Sequence, residues 1–191
     1  MSHKPQVIVV TDGDDTAYEA IKVACRDLGC YPLAASHGNP TPLSGAELVD
    51  HILRAPREPV VVMVDDRGES GQGPGETALK TLLRSDQLDI MGVVAVAANT
   101  RPVAGVAVQE SVDQKAKTTP QAVDKAGHPV PGHQLRGDTV DVLAHYGGPI
   151  VGLGDPGKME GWDAVDKGVP ATRRALEEIL KQRGRSEHAR S

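Results

Sequence analysis

The sequence predicts a three-layer α/β fold: a mainly parallel sheet with helices on both faces, Rossmann-like in general plan. Two observations lead there. Apolar runs alternate with segments of helical spacing, as in βαβ units. Two of those runs also end abruptly in acidic residues, Val7-Ile8-Val9-Val10-Thr11-Asp12-Gly13-Asp14-Asp15 and Val60-Val61-Val62-Met63-Val64-Asp65-Asp66-Arg67. Buried parallel strands read as continuous apolar runs, and their carboxyl ends are where such sheets bind ligands.

Taken in order, Val7–Val10 is the first strand. Ala17, Ala20, Ile21, Ala24 and Leu28 then recur at helical spacing, and Gly29 stops that helix. Tyr31–Ala35 reads as a short strand, followed by the loop Ser36-His37-Gly38-Asn39-Pro40-Thr41-Pro42. Ser44 and Glu47 form a capping box, with Leu48, Ile52 and Leu53 as the apolar face behind it. Pro56 and Pro59 bracket the passage to the strand Val60–Val64. Pro74 suits the first turn of the next helix, whose inner face is Leu79, Leu82 and Leu83. Ile90–Ala98 is a further buried strand, ending in Asn99-Thr100-Arg101.

Residues 102–137 break this rhythm with Lys, Thr, Gln, Pro and Gly, and read as an irregular or β-hairpin insertion. Asp138 is placed to cap a short helix through Val142 and Leu143. Pro149–Leu153 is the last strand, and Pro170 opens a terminal helix carrying Leu176, Ile179 and Leu180. The expected organisation is one domain over 1–182 and a polar, frayed tail over 183–191.

Composition narrows the function. A chain of 191 residues can bury one core, and its net charge of -5 lacks the basic signature of nucleic-acid binding. Aromatic content is 2% with no phenylalanine, so the core must be Val, Ile, Leu and Ala, and a base-stacking surface is not expected. Cys25 and Cys30 are the only cysteines, spaced for neither a CxxC motif nor a metal site, and read as reduced core residues. No apolar run approaches the roughly 20 residues that span a bilayer. With no signal peptide visible either, the expectation is a chain that reaches a membrane only peripherally.

The candidate ligand-binding residues lie at predicted strand ends. Asp12, Asp14 and Asp15 form the first acidic group and could hold Mg²⁺ or Ca²⁺, which take oxygen ligands, although capping of the first helix by Asp14 or Asp15 would by itself account for one or two of them. Asp65, Asp66 and Arg67 form the second group. Asp12, Asp65 and Asp66 are the expected metal ligands, while Arg67 could clamp an anion or simply pair with a neighbouring aspartate. The glycine-rich turn Gly68–Gly75 could offer backbone N–H groups to an anion at the helix start, or be a plain turn. His37 and Asn39 sit in a loop on the same side, His37 being a possible proton carrier or a merely exposed residue. Asn99, Asp155 and Lys158 complete the rim. Gly152-Leu153-Gly154-Asp155-Pro156-Gly157-Lys158-Met159 satisfies GxxxxGK, but Met159 stands where a P-loop needs Ser or Thr, and Pro156 removes a donor.

Several motifs together resemble the soluble stage V sporulation protein AE family of endospore-forming bacteria. They include Val10-Thr11-Asp12-Gly13-Asp14, Gly38-Asn39-Pro40-Thr41-Pro42-Leu43, Val64-Asp65-Asp66-Arg67-Gly68 and Gly73-Pro74-Gly75-Glu76. Val94-Ala95-Val96-Ala97-Ala98-Asn99-Thr100, Val123-Asp124-Lys125-Ala126-Gly127, Gly137-Asp138-Thr139-Val140-Asp141 and Gly154-Asp155-Pro156-Gly157-Lys158-Met159 extend the likeness, roughly from Val7 to Leu180. The resemblance implies a non-catalytic accessory component of the sporulation system that moves dipicolinic acid with Ca²⁺ into the spore and out at germination. It implies other stage V sporulation proteins as partners. It also implies a place on the cytoplasmic side of the developing spore compartments, peripheral to the spore inner membrane. It supplies no catalytic residues.

A weaker likeness is to Toprim domains, which use Mg²⁺ in phosphoryl transfer. Val9-Val10-Thr11-Asp12-Gly13-Asp14-Asp15 looks like their opening, but Thr11 stands where they place Glu, and Arg67 stands at the second place of their Asp-x-Asp motif. A Toprim-like Mg²⁺-dependent enzyme is therefore the alternative from this likeness. A sensor of an anion or other small molecule at the acidic rim is the alternative from the residues.

Overall fold

The computed structural model describes residues 3–68, 72–99 and 104–188. Part of the glycine-rich turn (69–71), the end of the fourth-strand motif with the start of the insertion (100–103), and the last tail residues (189–191) lie outside the described residues.

The chain builds β1 (Gln6–Val10), α1 (Asp15–Leu28), β2 (Tyr31–Pro32), α2 (Gly45–Leu53), β3 (Val60–Met63), α3 (Pro74–Arg84) and β4 (Asp89–Val96) as alternating units. β5 (Val106–Ala107), β6 (Glu110–Val112), β7 (Thr118–Thr119) and β8 (Gln134–Leu135) follow within the irregular region. β9 (Ile150–Leu153) and α4 (Pro170–His188) complete the fold. Seven strands form one sheet in the order β2-β3-β1-β4-β9-β6-β7. All pairs are parallel except β6–β7, so β1, β3, β4 and β9 all point their carboxyl ends to one rim.

Alternation along each buried strand divides the core in two. Val7, Val9, Val60 and Val62 face Leu48, Ile52, Leu79 and Leu82 of α2 and α3. Ile8, Val10, Val61 and Met63 face Ala17, Ile21, Leu176 and Ile179 of α1 and α4. Both faces of the strands are covered, which is why the sequence shows unbroken valine runs rather than alternation with polar residues. The side chains involved are small or branched, so the sheet and helices approach closely. Gly92 is required by this approach: a Cβ there would fall 2.6 Å from Ile179 Cδ1.

Several expectations change. The second strand is only two residues, because a 3-10 turn at Ala34–Ser36 follows and Ser36 Oγ donates to Leu33 O. Leu53 is 45% exposed: the buried side of α2 is Gly45, Leu48, Val49 and Ile52. The insertion does more than decorate the sheet. The β6–β7 hairpin extends it beyond β9, β5 and β8 pair separately, and Val106, Val108, Ala122 and Leu135 join the first core. Asp138 does not cap a helix; Thr139 precedes the 3-10 segment Val140–His145 with φ 66° and no side-chain cap. The terminal helix also runs past residue 182 to His188, and Arg183 pairs with Asp89 at the foot of β4.

Candidate functional site

A crevice of about 100 Å³ opens at the rim, at the carboxyl ends of β1 and β4. Thr11, Asp12 and Asp14 contribute from the end of β1, Asp65 from β3, and Asp155 from β9. Asn39 closes one side, Asp138 another, and the backbone of 96–98 forms the floor. This is the position that open α/β sheets use for ligands, because connections on either side lead away from it. The strand order differs from the doubly wound 3-2-1-4 pattern in one exchange: β3 lies between β1 and β2.

The tight wall of the crevice depends on Gly13. A Cβ there would lie 2.2 Å from Gly38 O, and Gly38 N donates to Gly13 O at 2.9 Å. This contact draws the loop carrying Asn39 against the start of α1. Thr11 Oγ1 accepts from Val96 N at 2.9 Å, tying β1 to β4 at the same level.

Three carboxylates converge. Asp12, Asp14 and Asp155 each offer a ligand oxygen, and these atoms lie within 4.8 Å of one another. Each has Oδ1 fixed by a nearby backbone donor: Asp14 N on Asp12 at 3.2 Å, Ala17 N on Asp14 at 2.8 Å, and Gly157 N on Asp155 at 2.9 Å. Among the described residues, no hydrogen bond engages the Oδ2 atom of any of the three.

The crowding is registered in the acid–base behaviour of the rim. Burial, then the charge of Asp14, holds the Asp12 carboxyl well above the ordinary aspartate range. Burial also raises Asp65 and Asp155; hydrogen bonds to them act in the opposite direction. Asp138 is pushed up to about 6 by burial and by the charges of Asp65 and Asp66. Four acids that resist ionisation face one small space.

The second strand end is arranged differently. Asp65 accepts from Gly13 N through Oδ2 at 3.0 Å and from Arg67 N through Oδ1 at 2.9 Å. Asp66 accepts from Gly75 N at 2.6 Å and Glu76 N at 2.9 Å, and from Thr139 Oγ1 at 2.9 Å. The anion at the N-terminus of α3 is thus the protein's own Asp66. Of the expected metal set, Asp65 and Asp66 accept backbone donors on both oxygens, while Asp12 converges with Asp14 and Asp155.

The remaining candidates separate. His37 stacks on Tyr18 with ring centroids 4.5 Å apart, and its Nε2 lies 2.7 Å from Asp15 Oδ1, outside the crevice. Arg67 is exposed in a left-handed turn with φ 58°. Asn99 and Lys158 are exposed beside the rim and do not line the crevice. The residue that sequence reasoning missed is Asp138, brought in from a segment whose short elements have no period. In the sequence it stands next to Thr139, which reaches Asp66, and reads as a helix cap.

The fold and rim define a three-layer α/β protein with a carboxylate-lined crevice at its sheet switch point. The family profile for stage V sporulation protein AE1 matches residues 6–183. The chain belongs to the stage V sporulation protein AE family, and with it to proteins of sporulation. No curated protein and no solved structure matches it. Among the described residues, no helix is long and apolar enough to cross a membrane.

Proposed function

We propose that the chain is a soluble, non-catalytic accessory component of the sporulation system that takes up and releases calcium dipicolinate. It acts peripherally at the spore inner membrane through other stage V proteins, and its rim engages a divalent cation. Family membership supplies the setting. The observation that carries the chemistry is the convergence of Asp12, Asp14 and Asp155.

The donor set suits a hard cation. Three carboxylate oxygens, each on a side chain already oriented by a backbone N–H, form a partial shell of the kind Ca²⁺ or Mg²⁺ accepts. Asp12, Asp14 and Asp155 would hold the ion, which when bound supplies open positions for water or for a ligand's carboxylate. Their mutual repulsion is what a cation would relieve.

A Toprim-like phosphoryl-transfer role has less support. The Thr11 hydroxyl is engaged by Val96 N, and the Asp65 and Asp66 carboxylates accept backbone N–H groups, which leaves no free carboxylate at those places for acid–base work.

The test is genetic and chemical. Replacing the chromosomal copy by an Asp12→Asn, Asp155→Asn double variant should leave a folded protein and lower the dipicolinate content of the spores. Spores with full dipicolinate content and ordinary release at germination would contradict the rim's part in the function.

A further inference from the structure

A second cleft, of about 680 Å³, lies apart from the rim between α3 and the 3-10 segment Val140–His145, a size in the range of small-ligand sites. Its charged lining comes from both walls: Glu76, Lys80 and Arg84 on α3, and Asp141 and His145 opposite. Leu83 and Val142 supply apolar surface between them.

The charges are ordered. Glu76, Lys80 and Arg84 are spaced four residues apart and form one stripe, about 12 Å long at 1.5 Å per residue. α3 starts beside Asp66 at the rim and runs away from it, so Glu76 is at the rim end and Arg84 at the far end. The opposite wall runs the same way. Asp141 stands close enough to Glu76 for its charge to act on that carboxyl, and His145 follows four residues later beside Tyr146 and Gly147. One end of the cleft is therefore acidic and the other basic.

Lys80, one turn from Glu76, acts on its carboxyl by charge, but without a contact pair. Among the described residues, no ion pair within 4.0 Å and no hydrogen bond fixes the side chain of Glu76, Lys80, Arg84 or His145. Asp141 uses only Oδ1, accepting from Gly105 N at 3.0 Å. The Tyr146 hydroxyl is buried without a hydrogen-bond partner, against Gly148 and in reach of the charges of Asp89 and Arg183. Uncommitted charges of both signs, separated along a preformed cleft, are a complement to a ligand with the reverse order.

We infer that this cleft binds a short zwitterionic chain. Its carboxylate lies against Arg84 and His145, its cationic end against Glu76 and Asp141, and its methylene or backbone middle over Leu83 and Val142. Such a ligand is either a free ω-amino acid or the carboxyl end of a peptide with a basic residue near its terminus. The site is separate from the rim and does not depend on a cation there.

The test is amide chemical-shift titration of the full chain with ε-aminocaproate, caproate and hexylamine. Saturable shifts should fall on α3 and on residues 140–147, with the zwitterion binding about tenfold tighter than either single-charge analogue. Arg84→Gln should reduce it to the affinity of hexylamine, and Glu76→Gln to that of caproate. Asp12→Asn should change neither. An N-acetylated tripeptide with an N-terminal lysine and a free carboxyl end distinguishes the sources: binding as tight as ε-aminocaproate assigns a peptide end, and weaker binding assigns a free amino acid. Equal affinity for all three small probes, or no saturable shift at these residues, would overturn the proposal.

Discussion

The ends of β1 and β3 carry nearly the same sequence signal and use it in opposite ways. Each is a buried valine-rich strand that stops in two aspartates before a helix. At β3 the chain takes a long glycine-rich route to α3, and that length lets the helix N-terminus return to Asp66. Gly75 sits so close that a Cβ would fall 2.6 Å from the Asp65 backbone. Asp66 thereby receives Gly75 N and Glu76 N, and Asp65 receives Arg67 N and, from across the rim, Gly13 N, so every oxygen has a backbone donor. At β1 the connection is too short for this. Asp14 is itself the N-cap of α1, and among the described residues Asp12 holds only the Asp14 N–H. One oxygen on each remains for something else. A strand-end carboxylate becomes available for a ligand where local backbone donors are too few to occupy it.

The largest effect should come from breaking the committed end. Asp66→Ala removes acceptors for Gly75 N, Glu76 N and Thr139 Oγ1 in a buried setting, and should lower unfolding free energy by about 3 kcal/mol in urea. A loss below about 1 kcal/mol would mean that these hydrogen bonds do not hold the start of α3.

Thr11→Val should come next. It leaves Val96 N without its acceptor and should cost about 1–2 kcal/mol by the same measurement. The β1 end would then owe its stability to a hydroxyl and not to its carboxylates.

Asp12→Asn, by contrast, should leave stability within about 0.5 kcal/mol of the parent, or raise it, because the substitution removes a charge that burial and Asp14 disfavour. A loss as large as that of Asp66→Ala would erase the distinction between the two ends.

A further effect concerns pH. Asp138 is raised from 3.8 to about 6, so between those values the folded protein holds a proton that the unfolded chain releases. Its contribution is favourable at low pH and is lost as pH rises through about 6. Asp138→Asn should therefore stabilise the protein more at pH 7 than at pH 4, relative to the parent. A difference of the opposite sign, read from denaturation at both pH values, would contradict the buried position of this carboxyl.

What the sequence made legible follows from the same physics. Val7–Val10 and Val60–Val64 could be read as parallel strands because burial on two faces leaves no polar alternation. Their common rim followed from that, and so did the capping box of Ser44 and Glu47, whose reciprocal hydrogen bonds are formed. Residues 102–137 were legible as an irregular or β-hairpin insertion but not strand by strand, since β5, β7 and β8 are two residues each and carry no period. The division of labour among the aspartates was hidden for a different reason. Asp12 and Asp66 are chemically alike in sequence, and only the path of the backbone decides which one meets donors. Asp138 was hidden because a left-handed Thr139, not a helix, follows it.

The most direct test of the account is calorimetric titration of the protein with Ca²⁺ at pH 7, beside Asp12→Asn, Asp155→Asn and Asp66→Asn variants. Asp66→Asn keeps an acceptor for α3 and should remain folded. The account predicts one saturable Ca²⁺ site in the parent and in Asp66→Asn, lost in Asp12→Asn and Asp155→Asn. No Ca²⁺ heat in the parent, or binding that survives loss of Asp12 and Asp155 but disappears with Asp66, would contradict it.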